Sequence, residues 1–353
     1  LDLDPQDAWA LGSRGQTHQQ AGHYDEAITD LTAALDLDPT LDWALGSRGE
    51  THRQAGHYDQ AITDFTTALD LDPQDAWALG SRGQTHQQAG HYDEAITDLT
   101  TALNLDPQDA WALAQRGETH RQADHYDQAI TDLTTALNLD PTLAWALGSR
   151  GEAHREAGHY DEAITDLTAA LDLDPTLAWA LAQRGETHRQ AGHYDQAITD
   201  LTTALNLDPQ DIWALAQRGV AHRQARDYRL AQEDLDHAVA SEPDDRGFLF
   251  EKTMLDTVRS GPEACLEQWR DLLSSPAETS LSDASRFFDL FQVLILAPET
   301  DVTGATGVFL SRGPDPDAVT DLLHYLAELS TMDGAMGDRA RQCQQLITQH
   351  ASE

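Results

Sequence analysis

The sequence predicts an all-α solenoid of antiparallel helix-turn-helix repeats closed by a helical C-terminal cap. Three observations predict it: a fixed period, two apolar stripes of helical spacing in each period, and helix-breaking residues between them. The prolines of Leu-Asp-Pro fall at Pro5, Pro39, Pro73, Pro107, Pro141, Pro175 and Pro209, with Pro243 in a worn version, so each step is 34 residues. Self-similarity at a fixed period of this size marks a stacked repeat architecture. A stack grows to 353 residues without one large core, because each unit buries its apolar face against its neighbours alone.

Residues 8 to 41 show how one unit is built. Ala8, Leu11, Gly15 and His18 recur at i, i+3, i+7 and i+10, which predicts a first helix, A. Ala27, Ile28, Leu31, Ala34 and Leu35 form a second stripe with the same period, helix B. Gly22 separates the two, Asp25 is placed to cap helix B, and Pro39 stops helix B after Asp38. The small residues Gly15 and Ala27 let the two backbones approach closely. The hairpin so formed is too thin to bury both faces alone.

Seven such units make up the region 1–245, whose first residues, 1–7, are the tail of a truncated repeat. That truncation predicts a longer polypeptide with further sequence ahead of Leu1. The region 246–353 reads as a degenerate repeat plus a helical cap. Residues 246 to 273 look like a worn eighth hairpin with "SGPEACLEQWRDLL" as its second helix. The segments "SDASRFFDLFQVLILAPE", "TGATGVFLSRG", "DPDAVTDLLHYLAELSTM" and "DRARQCQQLITQ" are helical in period. They would cover the apolar end of the stack, with Phe287, Phe288 and Phe291 as core or, alternatively, as a docking cluster.

The spacing of a unit resembles the tetratricopeptide repeat. Gly15, Tyr24, Ala27, Leu31, Ala34 and Pro39 match that family's small residue in helix A, its Tyr-x-x-Ala at the start of helix B and its closing proline. The resemblance implies a right-handed superhelix whose concave wall is made chiefly by helix A, and a protein that binds other proteins. Leu11, Arg14 and His18 stand where the family carries tryptophan, leucine and tyrosine, and the tryptophan sits two places early, at Trp9. The family's clamp for a C-terminal carboxylate resembles a set of Lys, Arg and Asn on successive helices A. Here those positions carry Trp, Ser or Gln, and Gln or Glu, so the clamp is not expected.

Composition narrows the partners. The formal charge is -39, and both the repeats and the C-terminal region are acidic. Such a surface repels phosphate backbones and anionic lipid and favours neutral or basic proteins or peptides. No nucleic-acid or membrane partner is expected, while self-association through an uncapped N-terminal end is. Cys265 and Cys343 support neither a disulfide framework nor a thiolate metal cluster. No apolar run reaches membrane-spanning length, and a cytoplasmic protein is expected.

The polar residues invite chemistry, but they recur. "RGETHRQAGHYDQAITD" at residues 48 to 64 has close copies beginning at Arg14, Arg82, Arg116, Arg150 and Arg184, and a catalytic centre is not built six times. His18 and His23 are five residues apart across a glycine break, whereas a helical metal pair needs i, i+4 on one face. No metal and no cofactor are predicted. His18 and its copies are expected to fill an aromatic packing slot, and sixteen histidines suggest association that varies with pH. Arg14 and Asp30, recurring to Arg218 and Asp234, predict an ion-pair ladder holding helix A to helix B, because a half-buried charge needs a partner.

Two patterns point to a binding face. Glu50 is followed by Arg53, Glu118 by Arg121, Glu152 by Arg155 and Glu186 by Arg189, at the i, i+3 spacing that sets side chains beside one another. Val220 interrupts the pattern in the seventh unit. The second is one tryptophan per unit, including Trp43, Trp77, Trp111, Trp145 and Trp179, either packed between successive helices A or standing in the groove as flat platforms. Together these thirteen residues are the predicted partner-binding groove. No nucleophile and base are placed for catalysis, so an interaction scaffold is expected; the second expectation is the sensor or regulatory arm of a larger signalling protein with an ATPase or protease domain upstream.

Overall fold

A computed structural model of the chain describes residues 7–274, 294–295, 302–311, 316–332 and 335–350. The repeats are helical hairpins: α1 (Ala8–Gln20) with α2 (Tyr24–Leu37), α3 (Asp42–Gln54) with α4 (Tyr58–Leu71), α5 (Ala76–Gln88) with α6 (Tyr92–Leu105), and α7 (Ala110–Gln122) with α8 (Tyr126–Leu139). Then follow α9 (Ala144–Glu156), α10 (Tyr160–Leu173), α11 (Ala178–Gln190), α12 (Tyr194–Leu207), α13 (Ile212–Gln224) and α14 (Tyr228–Ser241). Beyond them lie α15 (Arg246–Ser260), α16 (Leu266–Ser274), α17 (Val302–Ser311), α18 (Pro316–Ser330) and α19 (Ala335–His350). By internal contacts the chain forms two compact units, Leu1–Ala153 and His154–Glu353, and the division falls within α9.

The start of each hairpin follows from its linker. Where the linker ends in Pro-Gln-Asp, the aspartate caps helix A: Asp7, Asp75, Asp109 and Asp211 accept from the backbone N–H of Ala10, Ala78, Ala112 and Ala214. Where it ends in Pro-Thr-Leu, a leucine occupies the cap position without a side-chain bond, as at Leu41 and Leu177. There the threonine ties the turn instead, with Thr40 N and Oγ1 donating to Asp38 Oδ1 at 3.0 and 2.7 Å. Helix B starts at Tyr24, one residue ahead of the predicted cap. His23 is its N-cap, no side chain caps it, and Asp25 lies inside the first turn, where its charge meets the helix dipole.

Helix A turns into helix B through a left-handed residue. Gly22 has φ of 75°, its N–H bonds to Gln19 O, and His23 N–H reaches back to His18 O at 2.9 Å. This pair of bonds satisfies the last carbonyls of helix A. The two helices then approach within glycine distance: a Cβ on Gly15 would lie 2.7 Å from Leu31 Cγ and 3.1 Å from Ala27 O.

Each helix B packs on its own helix A and on the helix A that follows, within both compact units. Leu31 and Leu35 of α2 join Ala44 and Leu45 of α3 and Ala68 of α4 in one apolar cluster. In the C-terminal unit, Leu167, Leu171, Leu181 and Leu201 do the same across three helices.

After α14 the pattern changes. The second helix of the eighth hairpin opens as a tight 3-10 turn over Pro262–Cys265, following Gly261 with φ of 87°, before α16 begins. Phe250, Trp269, Leu322, Leu326, Cys343 and Ile347 form the core of this end, drawn from α15, α16, α18 and α19. Trp269 Nε1 donates to Thr257 Oγ1 at 2.8 Å, so the buried indole is fully satisfied. The expected cluster of Phe287, Phe288 and Phe291 lies outside the described residues.

Candidate partner-binding face

Successive helices A place the tryptophans in register, second in each helix. Their rings lie on the glycine of the preceding helix A: a Cβ on Gly46 would stand 2.6 Å from Trp77 Cζ3, and one on Gly80 would stand 3.0 Å from Trp111 Cζ3. Trp43 lies on Gly12 in the same manner. The rings are nevertheless open to solvent, 55% for Trp77 and 38% for Trp111, so one edge packs while the rest remains accessible. The packing role therefore holds for one edge of the ring, and the other edge is left open to solvent. Trp145 is half-buried and Trp179 exposed.

The charged stripe runs beside the indoles. Arg53 Nε and Nη2 donate to Glu50 Oε2 and Oε1 at 2.9 and 2.5 Å, and Gln54 Nε2 donates to the same Oε1 at 2.7 Å. Arg121 and Glu118 repeat this fork at 3.0 and 2.7 Å, and Arg189 and Glu186 at 2.8 and 2.6 Å. Bidentate pairing fixes the guanidinium plane as well as its charge. The fourth pair is arranged differently. Arg155 reaches Gln190 Oε1 at 3.5 Å and Glu156 Oε1 at 3.4 Å, whereas Glu152 receives Arg121 across the repeat step at 3.4 Å.

The remaining guanidinium nitrogen of Arg53 and of Arg189 links one repeat to the next. Arg53 Nη1 donates to Gln88 Oε1 at 3.1 Å and Arg189 Nη1 to Gln224 Oε1 at 3.3 Å. In the first unit, where glutamines replace the pair, Gln16 Nε2 donates to Ser47 Oγ at 2.8 Å. Within each compact unit the helix-A face thus carries a polar network beside the indoles.

At the C-terminal unit this face is partly covered from above. Glu186 and Arg189 are each only 7% exposed, against 20% and 15% for Glu50 and Arg53. His324 of α18 lies against them, and burial first, then the Arg189 charge, pushes its imidazole down to about 4. Arg223 explains how α18 is held. Val220 removes the carboxylate three residues before it, and the fully buried guanidinium pairs instead with Glu251 at 2.6 Å and with Glu328 of α18. Burial alone would lower Arg223, but Glu328 and Glu251 outweigh it and the net shift is upward. Tyr325 stacks under the guanidinium at 5.5 Å and donates its hydroxyl to Glu251. The sequence signalled only the broken pattern at Val220. Glu328 lies too far along the chain for any spacing to announce it.

The histidines take the packing slot. The His52 and His57 rings stand 5.7 Å apart, and His52 Nε2 faces Asp64 at 4.0 Å. Among the described residues no three His, Cys, Asp or Glu side chains form a metal cage. No helix there is long and apolar enough to cross a membrane.

Near-identical helical hairpins, stacked through alternating A and B helices within each compact unit, define a helical repeat solenoid. Sequence models of the Tetratricopeptide repeat match residues 13–76, 52–117, 86–151 and 154–218. The chain belongs to the tetratricopeptide repeat family. Among solved structures it is similar to a tetratricopeptide repeat protein from Parabacteroides merdae, with TM-score 0.59 and 19% identity over 71% of this chain and 99% of that one. It is also similar to the Cut9–Hcn1 hetero-tetramer of APC/C, with TM-score 0.57 and 18% identity over 76% of this chain and 53% of that one. PilW, a type IV pilus biogenesis factor, matches with TM-score 0.54 and 18% identity over 58% and 94%. At these identities the likeness speaks for the fold. No curated protein matches the chain in sequence.

Proposed function

We propose that this chain is an interaction scaffold that binds a polypeptide partner along its helix-A face. Tetratricopeptide repeat proteins generally mediate protein–protein interaction. The observation that carries the proposal for this chain is the half-open indole row beside the Glu/Arg/Gln network. Large apolar faces flanked by prearranged donors and acceptors suit an extended or helical peptide, and tryptophan and arginine concentrate binding energy at interfaces. Trp77 and Trp111 supply the platforms; Glu50, Arg53, Glu118 and Arg121 supply the polar contacts, already oriented by their mutual bonds. A net charge of -39 directs the choice towards neutral or basic segments and speeds their arrival.

Selection of random displayed peptides on the immobilised chain tests this. Enriched peptides are expected to carry no net negative charge and to lose at least about tenfold in affinity when Trp111 and Trp145 are changed to Ala, roughly 1.4 kcal/mol or more. Thr97→Lys and Thr131→Lys, on exposed positions of α6 and α8, are expected to leave binding unchanged. Peptides that ignore the tryptophan changes and respond to the helix-B changes would move the site to the other face.

A further inference from the structure

The seventh repeat departs from the others where its helix A turns into helix B. Five of the preceding hairpins place glycine at the left-handed position, whereas here it is Arg226, at φ of 65°. A residue held at a cost in such a conformation points to a role for its side chain. Arg226 borders a cavity of about 250 Å³, and its guanidinium makes no ion pair with another described residue.

The repeats and α18 line this cavity with opposite chemistry. From the repeats come Arg223 and Gln224 of α13, Arg226 of the turn, and the phenols of Tyr194 and Tyr228, which open α12 and α14; from α18 comes the carboxylate of Glu328. Arg223 Nε, Gln224 Nε2 and Glu328 Oε1 are each buried without a hydrogen-bond partner. Buried polar atoms are normally bonded, so three around one cavity mark a site whose partner comes from outside. Two of them can only donate, and the carboxylate oxygen only accepts. The charges divide in the same way. Arg223 is one cation shared between Glu251 and Glu328, which leaves a negative charge over, while Arg226 is a cation left over. Burial pushes the Glu328 carboxyl up against the pull of Arg223, and a second cation beside Oε1 would hold it ionised.

We propose that this cavity binds a small zwitterion of the class of the short α-amino acids, its carboxylate towards Arg226, Gln224 and the phenols and its ammonium towards Glu328. Such a molecule offsets both unmatched charges at once, which neither an anion nor a cation does alone. The volume, below the roughly 300–1,000 Å³ of sites for larger ligands, suits a few non-hydrogen atoms. The inference does not rest on the peptide-binding reading of the helix-A face.

The experiment titrates the full chain with L-alanine by saturation-transfer difference NMR, with propionate and ethylamine as competitors that each lack one of its two charges. The wild-type protein is expected to bind L-alanine saturably, at least about tenfold more tightly than either competitor. Arg226→Gly puts the ordinary turn residue back, so it is expected to fold and to raise Tm while weakening L-alanine at least about tenfold. Tyr228→Phe removes one hydroxyl and is expected to weaken it to a smaller degree, so the result does not depend on one variant. Propionate binding as tightly as L-alanine would make this a plain anion site and overturn the proposal, as would ethylamine binding as tightly. No saturation up to about 50 mM, or affinity unchanged in both variants, overturns it as well.

Discussion

At the scale of single residues, the arginine on helix A shows how one side chain fastens three helices. Arg82 donates Nε and Nη2 to Asp98 Oδ2 and Oδ1, both at 2.7 Å, and Nη1 to Thr66 Oγ1 of the preceding repeat at 3.1 Å. The same three bonds recur around Arg48, Arg116, Arg184 and Arg218. Asp98 is 9% exposed and Arg82 21%, so the pair lies between the surface and interior regimes. Asp98→Ala strands a half-buried guanidinium and is expected to cost about 2–3 kcal/mol, below the roughly 3–5 of a fully buried pair because water still reaches Arg82. Arg82→Met combined with Asp98→Leu is expected to recover most of that loss, since the charge and its desolvation leave together. Urea unfolding of the three proteins measures both steps. The Arg-to-Asp contact was legible from residue spacing alone. The threonine was not, because a hydroxyl 16 residues upstream becomes a neighbour only once two hairpins are stacked.

At the scale of the helix pair, the left-handed turn is the point where sequence variation is felt most directly. Gly22, Gly56, Gly90, Gly158 and Gly192 hold φ between 75° and 78°, but the fourth unit places Asp124 there at 59° and the seventh places Arg226 at 65°. An L-residue in this region costs of the order of 1 kcal/mol, somewhat less for aspartate, whose side chain finds local partners. Asp124 does so, accepting from Tyr126 Oη at 2.9 Å. Arg226→Gly is therefore expected to stabilise by about 1 kcal/mol and Asp124→Gly by about half that, read from thermal unfolding. The hairpin itself and the Glu/Arg stripe were visible in the sequence. The position of the helix-B cap was misjudged at Asp25 because His23 can begin the helix through its backbone carbonyl alone. The covering of Glu186 and Arg189 by α18 depends on contacts between distant segments, which no periodicity encodes.

At the scale of the whole molecule, repetition multiplies small effects, and the histidines make the clearest case. In His52, His86, His120, His188 and His222, burial lowers the imidazole below its ordinary 6.5, only partly opposed by the nearby aspartate. Geometry gives the reason: each Nδ1 is buried without a hydrogen-bond partner, so a second ring proton would have nowhere to donate. The folded chain thus binds fewer protons than the unfolded chain below 6.5. Stability is fully present above that value and falls as the pH drops through it towards the depressed folded values. Because repeats contribute almost independently to a one-dimensional stack, the five losses are expected to add. The urea midpoint should be flat from pH 8 to 7 and decline steeply from 6.5 to 5.5. Replacing His86 and His120 together by Phe should remove about two fifths of the slope that these five contribute, His324 adding its own, while leaving the plateau changed only by the altered packing. A midpoint that holds steady down to pH 5.5 would mean that the imidazoles find partners the folded geometry does not provide.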